Sequence, residues 1–276
     1  MRTIENKTFD EERALYESDG VMAYNCRFDG PADGESAFKE SRNIEVEKCF
    51  FNLRYPFWHD SGLKISDCEM TENCRAALWY SHEINIENTR LHGIKALREC
   101  ENITLRGCDV ISPEFGWNNS SVAMENCTVT GEYFMMRSSE LRFTNVELNG
   151  KYSFQYITDS VFDHCVLRTK DAFWHAKNVT VRNSTIIGEY LAWYCENVTF
   201  ENCKIEGTQP LCYCKGLRLV NCEMKNADFS FEKSEVYAEL TAPVISIKNP
   251  MRGRITVPHA DEIILDHPTE CEIITG

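Results

Sequence analysis

Side chains that end in a hydroxyl or an imidazole recur along this sequence at a nearly fixed interval. His59 and Tyr80 stand 21 residues apart, and Tyr156, His175, Tyr194 and Tyr213 follow one another at 19. An aromatic ring with a polar tip offers apolar area to a sugar ring and a hydrogen-bonding group to its hydroxyls. A register of such rings on one surface is therefore an expected binding row for an extended saccharide. The same rings could instead pack on one another as a stabilising ladder, or meet another protein.

Acid–base chemistry has its own candidates near that row. Asp171 and Glu189 fall on neighbouring repeats at nearly the same position, with His59, His175 and Arg137 close by in the pattern. Two carboxyls about 5 Å apart would suit a retaining glycosidase. The plainer reading is two solvated surface acids. The sequence has none of the NTD, DD, GHG and RIK strings of galacturonases and no Arg-x-Pro-x-x-Arg of pectate lyases. Catalysis is thus left open; if the chain is an enzyme, a polysaccharide lyase-like or glycoside hydrolase-like activity is the expectation. No His or Cys pair stands at zinc-finger spacing, and Cys212 and Cys214 read as structural thiols at the surface of a strand, so neither metal nor cofactor is expected.

The elements that position these residues come from a repeat. The strings "LKISDCEM", "ITLRGCDV", "VAMENCTV", "VTFENCKI" and "LRLVNCEM" share one pattern. Its small column holds Cys49, Cys68, Thr89, Cys108, Cys127, Val146, Cys165, Ser184, Cys203 and Cys222, spaced by 19 except for one interval of 21 after Cys68. A column that accepts Cys, Thr, Val or Ser selects for small size. Self-similarity at a fixed period is the signature of a solenoid. Apolar residues alternate with polar ones before the column, as in Val179/Val181 and Val198/Phe200, which describes a strand with both residues of each pair facing one core. Asn88, Asn126, Asn145, Asn183, Asn202 and Asn221 precede the column and mark a tight left-handed bend. A second short strand follows it, then a third in "YPFWH", "AALWY", "DAFWH" and "YLAWY". A second bend comes at Asn43, Asn102, Asn178, Asn197 or Gly216.

Three short strands and their bends in about 19 residues make one coil of an all-β, single-stranded, right-handed parallel β-helix. A leucine-rich repeat is the competing architecture, but its second half is leucine-rich rather than aromatic. On the third strand, period-two alternation assigns Trp58, Trp79, Phe115, Trp117, Phe134, Met136, Trp174, Leu191, Trp193, Phe229 and Phe231 to the core. It assigns the Tyr and His set to solvent. "TFDEERALY" places Thr8 and Glu11 at capping-box spacing and predicts a short N-terminal cap helix. The expected organisation is a cap over 1–22, coils over 23–235, and closing strands of the same domain over 236–276, including 244–247, 254–257 and 262–266. The string "DGPADGES" (29–36) reads as a Gly-rich loop in the first long coil.

Composition narrows the partners. With 29 basic and 43 acidic residues the formal charge is -14, which repels nucleic acid and anionic membrane. The same charge argues against polyuronates unless calcium bridges them, and leaves a neutral oligosaccharide as the expected ligand. No segment is apolar enough for a membrane span or a signal peptide, so a cytoplasmic chain with reduced thiols is expected. A homo-oligomer through the aromatic face is compatible with these features.

The strings "DGES" (33–36), "KDAFWHAKNVTV" (170–181) and "GEYLAWYCENVTF" (188–200) resemble an uncharacterised bacterial family with the pectin-lyase-like right-handed β-helix fold. The resemblance spans nearly the whole chain. It implies the fold and brings no established activity or catalytic residues. The functional expectation is therefore a carbohydrate-binding or carbohydrate-active β-helix protein, with the ligand along the outer face of the third strand. The alternative is a non-catalytic structural or protein-interaction scaffold.

Overall fold

The computed structural model of the protein describes residues 1–30 and 35–276. Half of the predicted Gly-rich loop, residues 31–34, lies outside them. The chain divides into two compact units, Met1–Ser139 and Glu140–Gly276. Each is a right-handed parallel β-solenoid with no α-helix among its described residues, which removes the leucine-rich alternative.

In the N-terminal unit the first side is built from strands such as Arg42–Glu47, Ser61–Ser66, His82–Glu87 and Glu101–Arg106, each parallel to the next and in register. In the C-terminal unit Thr158–Asp163, Lys177–Arg182 and Glu196–Glu201 do the same. Val181 pairs with Phe200 and both are fully buried, as the alternation predicts. Phe28 and Phe51 stack at 4.7 Å in one unit, and Phe154 and Phe173 at 5.0 Å in the other, so the interior itself is laddered.

The bends are as expected. Asn183, Asn202 and Asn221 have φ between 51° and 53°. Each also donates its side-chain amide to the preceding coil, reaching Asp163, Asn183 and Asn202 at 2.9, 3.2 and 2.7 Å. Selection for a left-handed backbone and for an amide ladder thus converge on one residue type. The small column does more than fit a tight space. Ser184 Oγ accepts the Cys165 N–H and donates to the Arg182 carbonyl, and Cys203 Sγ donates to the carbonyls of Val181 and Glu201. The side chain thus adds a second donor to carbonyls that already accept a backbone N–H, Arg182 from His164 and Glu201 from Asn183, and in Ser184 it also takes up the Cys165 N–H.

Two expectations fail. Residues 8–17 form no cap helix. Thr8–Phe9 is a short strand paired with Arg27–Phe28, and the N–H groups of Arg13, Leu15 and Glu17 donate to Glu35, Ala37 and Lys39 of the following coil. Donors spent between coils are unavailable to a helix, so the start of the chain is itself a coil. At the other end the 19-residue rhythm stops after Cys222, but stacking continues. Tyr237 pairs with Arg254 and Arg254 with Glu272, steps of 17 and 18 residues, after a register shift between Leu219 and Cys222.

The third side departs furthest from the sequence reading. Among the described residues it is regular strand at Phe57–Trp58, Leu78–Trp79 and Leu97–Arg98, and again in the closing coils at Val244–Lys248 and Ala260–Ile264. Elsewhere it is a chain of turns in which every second residue has positive φ, as at Asp171, Phe173 and His175 (52°, 60° and 57°). The N–H groups alternate in direction: Asp171 and His175 donate to Glu189 and Trp193 of the following coil, and Phe173 donates to Ser153 of the preceding one. Side chains on this backbone run two in and two out. Ala172 and Phe173 are buried while Trp174 and His175 lie on the outside, half-buried. Period-two alternation therefore does not hold here.

Candidate functional site

This backbone places two adjacent columns of rings on the surface. Phe115, Phe134, Leu191 and Phe231 are buried as expected, but Trp58, Trp79, Trp117, Met136, Trp174 and Trp193 are only half-buried and Phe229 is exposed. The core assignment of the tryptophans is corrected accordingly. Trp174 and Trp193 stack at 5.3 Å with planes 1° apart, and their indole N–H groups donate to the carbonyls of Tyr190 and Gln209, both at 2.7 Å.

Beside them, Tyr156, His175, Tyr194 and Tyr213 form one continuous stack, with centroid separations of 4.8, 5.1 and 4.9 Å and planes within 12°. Tyr156 and Tyr194 are each 46% exposed. The coil spacing sets this geometry, because in-register parallel strands hold equivalent side chains about 4.8 Å apart. The ring faces are thereby turned on one another, and their edges and polar tips face solvent. Burial, then Glu232 nearby, pushes the Tyr213 phenol upward. The six predicted residues thus fall into two groups. Four form this stack in the C-terminal unit, and His59 and Tyr80 stack at 5.1 Å in the N-terminal one.

The two candidate carboxylates, Asp171 and Glu189, sit on neighbouring coils one residue apart in register. Asp171 shares its column with Tyr152 and Tyr190, each donating its N–H to the following coil, whereas Glu189 lies one residue off that column. Asp171 is also not solvated: it is 8% exposed, and burial raises its carboxyl above the usual range against the opposing pull of Lys170. Glu189 is exposed. Cys212 and Cys214 point inward rather than to the surface, both buried, with Cys214 Sγ donating to the Ala192 carbonyl at 3.0 Å. Among the described residues no three His, Cys, Asp or Glu side chains converge as a metal site would require.

Sequence reasoning missed a second corner ladder. Ser41, Asp60, Ser81, Cys100, Asn119 and Ser138 occupy it, each accepting or passing on a backbone N–H between coils: Ser41 N–H to Asp60 Oδ1 at 2.8 Å, Asp60 N–H to Ser81 Oγ at 3.0 Å, Cys100 N–H to Asn119 Oδ1 at 2.8 Å. Its signal was the recurrence of small, mostly polar residues at an interval of 19, with one of 21 between Asp60 and Ser81. Asp60 is fully buried, its Oδ2 has no partner, and burial pushes its carboxyl up to about 8.

The chain has low-identity similarity to several solved structures. Bacteriophage CBA120 tailspike protein 3 is 10% identical, with 99% of this chain and 51% of that chain covered at a TM-score of 0.40. The mannuronan C-5 epimerase A-module of Azotobacter vinelandii is 11% identical over 98% and 86% at 0.37. A GH87 α-1,3-glucanase catalytic domain in complex with nigerose is 12% identical over 87% and 63% at 0.35. The chain spans about half the length of the tailspike. No curated protein matches the sequence. The family described as protein of unknown function, DUF3737, matches residues 2–274, and the chain belongs to it.

Proposed function

We propose that this member of the DUF3737 family is a carbohydrate-binding β-helix protein that holds a neutral oligosaccharide along the third side of its C-terminal unit. The observation that carries the reading is the four-ring stack of Tyr156, His175, Tyr194 and Tyr213 beside the Trp174–Trp193 pair. Three phenol hydroxyls and an imidazole edge repeat at the coil spacing along one line, and sugar hydroxyls can both donate to and accept from such tips. The half-buried indoles alongside supply apolar contact area. Because ring faces are occupied by neighbouring rings, recognition runs through edges and tips. The net charge of -14 favours an uncharged ligand.

The ring-on-ring contacts also favour a second reading, a non-catalytic scaffold in which the stack holds coils together and its outer edge meets a protein. Tyr194→Ala separates the two. On the carbohydrate reading, a glycan array identifies a neutral ligand for the parent, and the variant binds it about thirtyfold more weakly, a loss of about 2 kcal/mol at a central contact. An array on which the parent retains no glycan removes the carbohydrate reading and leaves the scaffold.

A further inference from the structure

The N-terminal unit carries a different surface column. Trp58, Trp79, Arg98 and Trp117 stand in register on its third side, with Trp79 paired to both Trp58 and Arg98 and Arg98 bridged to Trp117. Lys39 Nζ lies 4.6 Å from the Trp58 ring centre at one end. The Arg98 guanidinium sits between two indoles, 5.8 Å from Trp79 and 5.0 Å from Trp117. Trp117 is itself anchored, its N–H donating to the Tyr133 carbonyl at 2.7 Å.

What distinguishes Arg98 is its place between two indoles. In a chain with 43 acidic and 29 basic residues, two cations of the same side have carboxylate partners, Lys95 with Glu114 at 3.3 Å and Arg54 with Glu35 at 3.3 Å. Among the described residues the Arg98 side chain has its two ring contacts and no ion pair. The adjacent acid, Glu99, accepts instead from Asn118 Nδ2 at 2.7 Å. A guanidinium held between two aromatic rings has its plane fixed and its N–H edge left for an acceptor, and a planar fork of donors matches an oxyanion two bonds at a time.

We propose that Arg98, clamped by Trp79 and Trp117, is a recognition site for an oxyanion group, carboxylate or phosphate, on a small solute. The site lies in the N-terminal unit and is independent of the ring stack assigned to neutral sugar. Half-burial of Arg98 against the indoles strengthens each charge-assisted bond relative to a fully solvated arginine, and the exposed Tyr80 and Asn118 beside it supply further polar contacts.

The chain has five tryptophans, so its indole N–H groups give a small, assignable set of NMR signals. Titration with inorganic phosphate and, separately, with trigalacturonate, at ionic strength matched by sodium chloride, should shift the Trp79 and Trp117 signals together. Those of Trp174 and Trp193 serve as internal controls. A response to one probe alone identifies the source of the oxyanion. Arg98→Gln should weaken the response about tenfold or more, because a charged hydrogen-bonding partner is lost. Arg98→Lys, which keeps the cation between the rings without the fork, should fall between. The proposal is overturned if neither probe moves Trp79 and Trp117 at millimolar concentration, or if the shifts persist undiminished in a folded Arg98→Gln protein. Loss of glycan binding on an array would leave this result untouched.

Discussion

Asp60 carries a prediction of its own. Its Oδ1 accepts the Ser41 N–H, its Oδ2 has no partner, and burial with Glu40 nearby raises its carboxyl to about 8. A carboxyl whose folded value lies above its unfolded one favours folding while protonated. Its contribution is present at low pH and is lost as pH rises from about 4 toward 8, at a rate approaching 1.4 kcal/mol per pH unit. Asn fits the same column at residue 119, where Oδ1 accepts the Cys100 N–H. Asp60→Asn should therefore be stabilising at pH 8 and close to neutral at pH 4. Denaturant midpoints of parent and variant that differ by the same amount at both pH values would contradict the assignment. The ring stack makes a companion contrast. Tyr194 shares two stacked contacts, each worth about 1 kcal/mol, so its alanine variant stays folded, whereas Trp193→Ala removes a packed, hydrogen-bonded indole and costs about 3 kcal/mol or more in thermal melts.

At the scale of the coil, the small column gives a graded test. Cys203 Sγ donates to the carbonyls of Val181 and Glu201, and one coil earlier Ser184 Oγ makes the second of these bonds, to the Arg182 carbonyl. Cys203→Ser should cost less than about 1 kcal/mol, while Cys203→Leu overpacks a closed corner and should cost about 1 to 3 kcal/mol. Equal denaturant midpoints for the two variants would show that the corner has room. The first side of each coil and its Asn bends were legible in the sequence because a strand transmits its burial pattern directly: Val179 and Val181 inward, Thr180 between them less buried. The third side was not. Its hand alternates residue by residue at non-glycine positions such as Tyr190, Ala192 and Tyr194, and nothing in those residue types announces a positive φ. Trp174 and Trp193 were placed in the core on a periodicity the backbone does not follow, while Tyr156, His175 and Tyr194 were placed correctly at the surface by their polar tips. The cap helix at Thr8–Glu11 failed for a related reason, since a local capping signal lost to hydrogen bonds with the next coil.

Across the whole chain, fourteen cysteines fall into two classes. Thirteen are buried, and Cys271, on the strand Glu270–Thr275, is half-buried with its thiol pushed up to about 11 by burial and by Glu272. Thiolate is the reactive form, so a maleimide at neutral pH should label the native protein slowly and only once. Unfolding in guanidinium without reductant should then expose thirteen more, read by intact mass. More than one rapid native adduct, or fewer than fourteen in total, would contradict the burial or the free-thiol state. The corner ladders set a further constraint on the chain, one of arithmetic. Asn183, Asn202 and Asn221 meet only because equal lengths of backbone separate them, so removing one residue from Lys177–Arg182 would put the coil that loses it out of step with the one before, while removing 19 would hand every donor an equivalent acceptor. The extra pair of residues after Cys68 is taken up around Thr71–Arg75, at a corner where Thr71 and Asn73 both donate to Asn52 of the preceding coil, so the bulge keeps its own link to the stack. Length in this family of sequences is therefore expected to vary in whole coils or at corners: the protein counts in units of its own circumference.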